Sequence, residues 1–419
     1  MTDARARRAA LACAAAAAVT APVAVITVKA VVPIVLAMAL AVLVFGGRRL
    51  RLPGGPGLAI AAAVALGLAW GAVSALASPV AAQWWTTAAK VAGLTATGLV
   101  LVAGVRTLDG DGRALVGWAL VGGVVVALAL LAVEVLTGSA LNIAARPSSW
   151  GTFDTMPHHV RMSLLKSGAA VTAILLWPAA GFLRHRAGPW AAAALVAAGI
   201  AVLALAGGLA AKLSWVVGAV VLLAALVRPR AAAAAVAAAL ALFLAVAPLV
   251  PNGYLVPALT SGQITFLPYS AFHRIFIWGF TAERIAERPV MGWGLNASKQ
   301  FGGHTKPIRH EIPLEGRPDW ANESEPIPLH PHNATLQIWL ELGLPGTVLA
   351  AVVLGATLLA IAGLGGPPGR RAFALATFAA ALVVAEVSYG IWQNWWLAML
   401  WLTAALTLAA ADSAGEDGT

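Results

Sequence analysis

The chain has 419 residues, of which 60% are hydrophobic and 11% charged, with a mean hydropathy of +0.85. Soluble domains carry about 25% charged residues, so this composition argues against a soluble enzyme; it also argues against a disordered chain, which needs low hydrophobicity, and against an outer-membrane barrel, whose apolar residues alternate in short segments. The formal charge of +10, from 27 Lys and Arg against 17 Asp and Glu, is read as basic residues holding cytoplasmic loops on their side of a membrane, not as a nucleic-acid site.

Apolar runs fall at residues 9–28, 30–46, 57–77, 84–104, 114–137, 160–181, 189–207, 210–227, 231–250, 334–362, 372–389 and 391–410. A membrane helix needs about 20 apolar residues, so the expected fold is an all-α polytopic membrane protein of about 12 transmembrane helices. The first run follows Arg5, Arg7 and Arg8 in the manner of a signal peptide, but it resumes after Lys29 and reads as a retained span. Cys13 is the single cysteine, so no intramolecular disulfide and no Cys-based metal site is expected.

The connections alternate in charge. Arg48, Arg49, Arg51, Arg106, Arg113, Arg184, Arg186, Arg228, Arg230, Arg370 and Arg371 join the N-terminal arginines on one side, while the opposite short connections are poor in Lys and Arg. The positive-inside rule then places both termini in the cytoplasm, in agreement with an even span count. It leaves two segments outside: a short one near 138–159 and a long one, 251–333, rich in Pro, Gly, Trp and His. The expected organisation is nine spans in 1–250, a long periplasmic loop with short helices and the catalytic elements in 251–333, three spans in 334–411 and a cytoplasmic tail in 412–419. No internal repeat supports an inverted-repeat transporter.

Asp109-Gly110-Asp111 has the spacing of a metal–diphosphate signature, but it lies in a short connection between Arg106 and Arg113 and reads as a turn. Glu134 and Glu386 sit in apolar runs, where acids are functional candidates by default, although both lie near outer ends and can reach the interface. His158-His159 lacks a matching carboxylate set, Asp154 being the nearby acid, so no metal is expected. Sequons at Asn296, Asn322 and Asn333 are read as chance.

Four cations run against the loop-charge bias on the outer side: Arg161 and Lys166 at the start of the sixth span, Lys212 at that of the eighth, and Arg274 in the long loop. Singly, each is a snorkelling side chain; as a set they suit the diphosphate of a lipid-linked substrate, for which Arg offers a fork and Lys a point charge. Within the long loop, Arg274–Arg288 reads as an amphipathic helix with Ile275, Trp278 and Ile285 on one face. Pro289 ends it, and Gly292-Trp293-Gly294 makes a turn. The strongest local signal is His330-Pro331-His332-Asn333 where the loop becomes a span. Asn333 is a good N-cap, and a histidine there is a natural general base.

The run from His330 to Gly346, H-P-H-N-A-T-L-Q-I-W-L-E-L-G-L-P-G, resembles the signature of the O-antigen ligase and polymerase superfamily. So do Arg274-Ile275-Phe276-Ile277-Trp278, Ala286-Glu287-Arg288-Pro289 and Gly292-Trp293-Gly294. The resemblance implies a GT-C-like glycosyltransferase in the bacterial inner membrane. It would act at the periplasmic face without metal, cofactor or nucleotide, moving a glycan from undecaprenyl diphosphate to the lipid A–core oligosaccharide. It implies His332 and Arg274 as catalytic, Arg274, Lys212, Arg161 and Lys166 as diphosphate-binding, and His330 and Asn333 as supporting. Family members typically carry arginine after serine at the eighth span, where this chain has Ala211-Lys212. Lipid-linked donor, lipid A–core acceptor and membrane lipids are the expected partners, with no nucleic acid. A polymerase, a protein O-oligosaccharyltransferase and a lipid-linked-glycan transporter remain alternatives.

Overall fold

The structure, a computed structural model, describes residues 3–46, 54–146, 155–264, 267, 269–303, 308–309, 323–324, 326–365 and 368–412. Arg48, Arg49, Arg51, Asp154, the Asn322 sequon and residues 413–419 of the tail lie outside them. The described helices are α1 (Asp3–Ile26), α2 (Val31–Gly46), α3 (Pro56–Leu76), α4 (Trp84–Arg106), α5 (Gly110–Leu136), α6 (Ala140–Ala144), α7 (His158–Ser163), α8 (Lys166–Arg186), α9 (Pro189–Leu205), α10 (Leu209–Val227), α11 (Pro229–Val246), α12 (Val256–Thr260), α13 (Tyr269–Glu287), α14 (Ser298–Gly303), α15 (Ala334–Ala362), α16 (Pro368–Val387) and α17 (Asn394–Asp412). A two-residue ladder, β1 (Ile308–Arg309) antiparallel to β2 (Glu323–Ser324), is the only strand pairing among the described residues.

Every apolar run has become a long helix, and the protein is an all-α polytopic membrane protein. Among the described residues, ten helical stretches are long and apolar enough to cross a membrane. Two of the twelve apolar runs are not among them: α9 has 17 residues, and α16 carries Arg370, Arg371 and Glu386.

Helix α8 is the centre of the bundle, buried without interruption from Gly168 to Leu183. Its glycines allow this. A Cβ on Gly168 would lie 2.5 Å from the Val25 Cα of α1, and one on Gly181 would lie 2.9 Å from Phe373 of α16. Close approach through small residues is the usual way for helices to pack where lipid removes the hydrophobic drive.

The bundle has two distinct ends. At one, the position of a Gly369 Cβ is 3.7 Å from Arg184 Nε, so the arginine-bearing connections after α8 and α15 adjoin. At the other, a Cβ on Gly208 would lie 3.3 Å from Lys166 Cγ, which brings the starts of α8 and α10 together.

Three acids flagged by sequence act as anchors. Asp109 caps α5, its carboxylate accepting the Gly112 N–H at 2.8 Å, so the Asp-Gly-Asp element is a helix start. Glu134 is fully buried rather than interfacial. It accepts from the Leu141 and Asn142 N–H groups at 2.8 and 3.1 Å and from Asn142 Nδ2 at 2.8 Å, pinning the short outer connection. Glu386 accepts from the Thr335 N–H and hydroxyl at 3.1 and 3.0 Å, tying α16 to the first turn of α15.

Helix α15 is broken. Gly343 has φ 60° and ψ −157°, and Pro345 follows. Backbone at such a break must find partners inside the protein, and four of its groups find them. The Trp293 and Gly294 N–H groups donate to the Leu340 and Glu341 carbonyls at 2.8 and 2.9 Å, and the Leu344 N–H donates to the Pro289 carbonyl at 2.9 Å. Trp70 Nε1 donates to the Leu342 carbonyl at 2.7 Å. The Pro289–Gly294 turn is therefore stitched by main chain into the gap. A side chain on Gly343 would strike the Val290 carbonyl. Gly343→Ala is expected to cost about 1–3 kcal/mol for the backbone conformation alone, read as a lower thermal midpoint of the purified protein in detergent.

Candidate active site

The site grows from the His-Pro-His-Asn segment. Asn333 is extended, φ −151°, and its Oδ1 accepts the Leu336 N–H at 2.7 Å, so it caps α15 as expected. His332, immediately before, has φ 56°, a left-handed conformation that histidine adopts more readily than most residues. His330 supports that turn, its Nδ1 accepting the His332 backbone N–H at 3.2 Å. The two rings lie 4.2 Å apart, centroid to centroid. Gly390 makes room for His330, because a Cβ there would sit 2.8 Å from the ring.

The His332 side chain is oriented by the segment joining α16 to α17. Its Nδ1 lies 2.6 Å from the Ser388 carbonyl oxygen. A carbonyl can only accept, so Nδ1 carries the proton and Nε2 carries the lone pair. Tyr389 follows, and its hydroxyl donates to Ser167 Oγ at 3.1 Å, which fixes this connector against the start of α8 beside Lys166.

Helix α13 delivers the cation. Its Trp278 indole donates to the Pro331 carbonyl at 2.9 Å, and Arg274 stands one turn earlier on the same face. Ile277 and Ile285 pack with Leu336 and Leu340 of α15. On the face predicted for this helix, Ile275 and Ile285 are buried and Trp278 is partly buried. The Arg284–Glu287 ion pair, 2.7 Å, lies in the last turns of the helix.

Burial lowers His332 to about 4; the Ser388 hydrogen bond opposes this, and the positive charges of Arg274, His273 and Lys166 add to it. Burial also lowers His330 to about 3, helped by His332, Arg274 and Lys299. Arg274 is lowered by its own burial and raised by Tyr389. Both imidazoles are therefore neutral near pH 7, with cations beside them.

Of the residues singled out by sequence, the structure brings His330, His332, Asn333, Arg274 and Lys166 into one electrostatic and hydrogen-bonded unit. Arg161 lies on α7, its carbonyl accepting the Ser139 hydroxyl at 2.9 Å. Lys212 is exposed on α10. Neither is among the charges acting on the two histidines. His158 and His159 are exposed at the start of α7.

Sequence reasoning quoted Glu341 within the His330–Gly346 run but gave it no role of its own, and it missed Trp392 and the Ser388–Gln393 connector. Glu341 is fully buried. It accepts from the Asn296 N–H (2.5 Å), Ser298 Oγ (2.5 Å), Gln337 Nε2 (3.0 Å) and Trp392 Nε1 (2.6 Å). Its signal was a lone acid in an apolar run, the same signal that drew notice to Glu134 and Glu386.

Residues 192–351, from α9 through the break in α15, match the family model described as O-antigen ligase. Relatives in Rickettsia bear the name "Putative polysaccharide ligase". The Rickettsia conorii protein is 37% identical over 142 residues, 33% of this chain and 32% of its own length. That of Rickettsia bellii is 40% identical over 129 residues, 31% and 29% of the two chains. That of Rickettsia prowazekii is 36% identical over 141 residues, 33% and 32%. The chain thus matches about a third of the length of these curated relatives.

Proposed function

We propose that this membrane protein is a GT-C-like, metal-independent, inverting glycosyltransferase of the O-antigen ligase type. It transfers a glycan from undecaprenyl diphosphate to the lipid A–core oligosaccharide at the periplasmic face of the bacterial inner membrane, with both termini cytoplasmic. The observation that carries the reading is the His332 ring. Its Nδ1–H is committed to the Ser388 carbonyl, so Nε2 is the acceptor of a proton, and Arg274 and Lys166 act on it from nearby. The match to the O-antigen ligase family model over residues 192–351, which include Arg274 and His332, supports the reaction class.

In this mechanism the acceptor hydroxyl oxygen attacks the anomeric carbon and its proton passes to His332 Nε2. The bond from that carbon to the phosphate oxygen breaks, and the electron pair leaves with the lipid diphosphate. Negative charge builds on the leaving group, where fixed cations stabilise the transition state. Arg274 is the principal cation, with Lys166 beside it. Arg161 and Lys212 remain outer contributors to diphosphate binding, and His330 and Asn333 hold the His332 turn.

The charges give a pH signature. Cations and burial hold His332 to about 4 in the free protein, so the acid limb of kcat/KM is expected well below the ordinary histidine range. A bound diphosphate offsets those cations and favours the protonated ring. The acid limb of kcat, which reports the complex, is therefore expected at higher pH than that of kcat/KM. Coincident limbs would remove this coupling.

Deletion of the gene tests the function. Loss of the whole glycan ladder from lipid A–core, with glycan accumulating on undecaprenyl diphosphate, is the expected result. A single repeat still on the core would indicate a polymerase, and an unchanged ladder with an unglycosylated protein would move the acceptor to protein.

A further inference from the structure

Four donors and no acceptor converge on the Glu341 carboxylate, a pattern that acceptor-only oxygens satisfy. Oε2 takes the Asn296 N–H and the Trp392 indole; Oε1 takes the Ser298 hydroxyl and the Gln337 amide. Gln337 in turn accepts the Ile391 N–H on its Oε1 at 3.0 Å. Glu341 thus grips residues 391 and 392 of the α16–α17 connector directly and through Gln337. The same connector supplies the Ser388 carbonyl to His332 Nδ1, the Gly390 gap to the His330 ring, and Gln393, whose amide lies 3.2 Å from His330 Nε2.

From this geometry we infer that Glu341 is a positioning residue for the transfer reaction: it holds the connector so that the Ser388 carbonyl selects the His332 tautomer with Nε2 open. The inference rests on the reading of His332 as the base. It explains why a carboxylate is buried in the broken helix, where a charge is costly unless it serves a function.

The bonding pattern also dictates what the substitution Glu341→Gln would do. With its oxygen at the Oε2 place, the introduced amide keeps Asn296 and Trp392. Its NH2 then faces Ser298, whose hydroxyl can turn to accept, and Gln337, whose NH2 cannot. Gln337 must flip or withdraw, and the Ile391 N–H loses its acceptor. Exchanging the two side chains repairs this. In Glu341→Gln/Gln337→Glu the carboxylate now at position 337 accepts from both the amide at position 341 and the Ile391 N–H, and every donor is again paired.

The test uses the full-length protein in detergent, with undecaprenyl-diphosphate-linked glycan as donor and lipid A–core as acceptor. Glu341→Gln is expected to lower kcat by about 10²-fold, the effect of misplacing a catalytic group by about 1 Å, with the KM for donor unchanged. The exchange variant is expected to recover most of that loss, and Trp392→Phe to show a smaller kcat loss at constant KM. Full kcat in Glu341→Gln, or an exchange variant no better than it, overturns the inference. Should Glu341→Gln fail to fold, Trp392→Phe decides, and an unchanged kcat there overturns it. A wild-type protein that binds both substrates and transfers nothing overturns the functional reading itself.

Discussion

His332→Ala is expected to lower turnover by about 10²–10⁴-fold, the range for one positioned general base, while expression stays near that of the wild type and the thermal midpoint falls only by the cost of about 1–2 kcal/mol of holding alanine at φ 56°. The stability half of this follows from the local structure. Helix α15 is capped by Asn333 and Glu386, so the His332 side chain is not part of what starts the helix. Alanine loses the Nδ1–H bond to Ser388 but leaves the His330–backbone contact in place. His332→Gln offers an amide in place of the ring and no basic nitrogen, so it is expected to be as inactive as alanine. Steady-state transfer assays on the purified variants check both. An alanine variant with full turnover would remove His332 from the chemistry.

Arg274→Gln is the second large effect. Removing one preorganised charge partner of a developing anion typically costs about 10²–10³-fold in kcat, and Arg274→Lys should recover only part of it, because the bidentate fork is lost. The substitution carries a second readout, in pH. Arg274 is among the charges that depress His332. Without it the folded-state pKa rises from about 4 toward the ordinary histidine value, so protonation of the base sets in at higher pH. The acid limb of residual kcat/KM is expected to move up. A limb that stays in place while kcat falls would mean that Arg274 contacts the leaving group without sensing His332. Donor binding by the variant, measured separately, distinguishes loss of affinity from loss of rate.

The helices were legible because membrane spans declare themselves through long apolar runs, and local capping chemistry was legible at Asn333; Asp109, read as part of a turn, is instead the N-cap of α5. The joining of Arg274 to the His motif could be anticipated only through resemblance. What realises it physically is the Trp278–Pro331 hydrogen bond across 53 residues. Two features escaped. The break at Gly343 was hidden inside a single apolar run, 334–362, although Pro345 removes an N–H there and disfavours helix at the residue before it. Glu341 escaped for a different reason. Along the chain it is one acid among three in apolar runs. What separates them is which distant segments fold onto each: Glu134 and Glu386 receive helix starts, whereas Glu341 receives the connector that faces the histidines.

The stitching of the Pro289–Gly294 turn into α15 has an implication for how this protein can vary. The two pieces are joined through backbone N–H and C=O groups, and Gly292, Gly294 and Gly343 leave no room for a side chain at the join. Its residue count is fixed as well. One amino acid inserted between Pro289 and Gly294, or between Leu340 and Leu344, shifts each donor off its acceptor and carries the loop helices out of step with the histidines. The seam acts as a fixed-length buckle, closed by main chain and set by residue count.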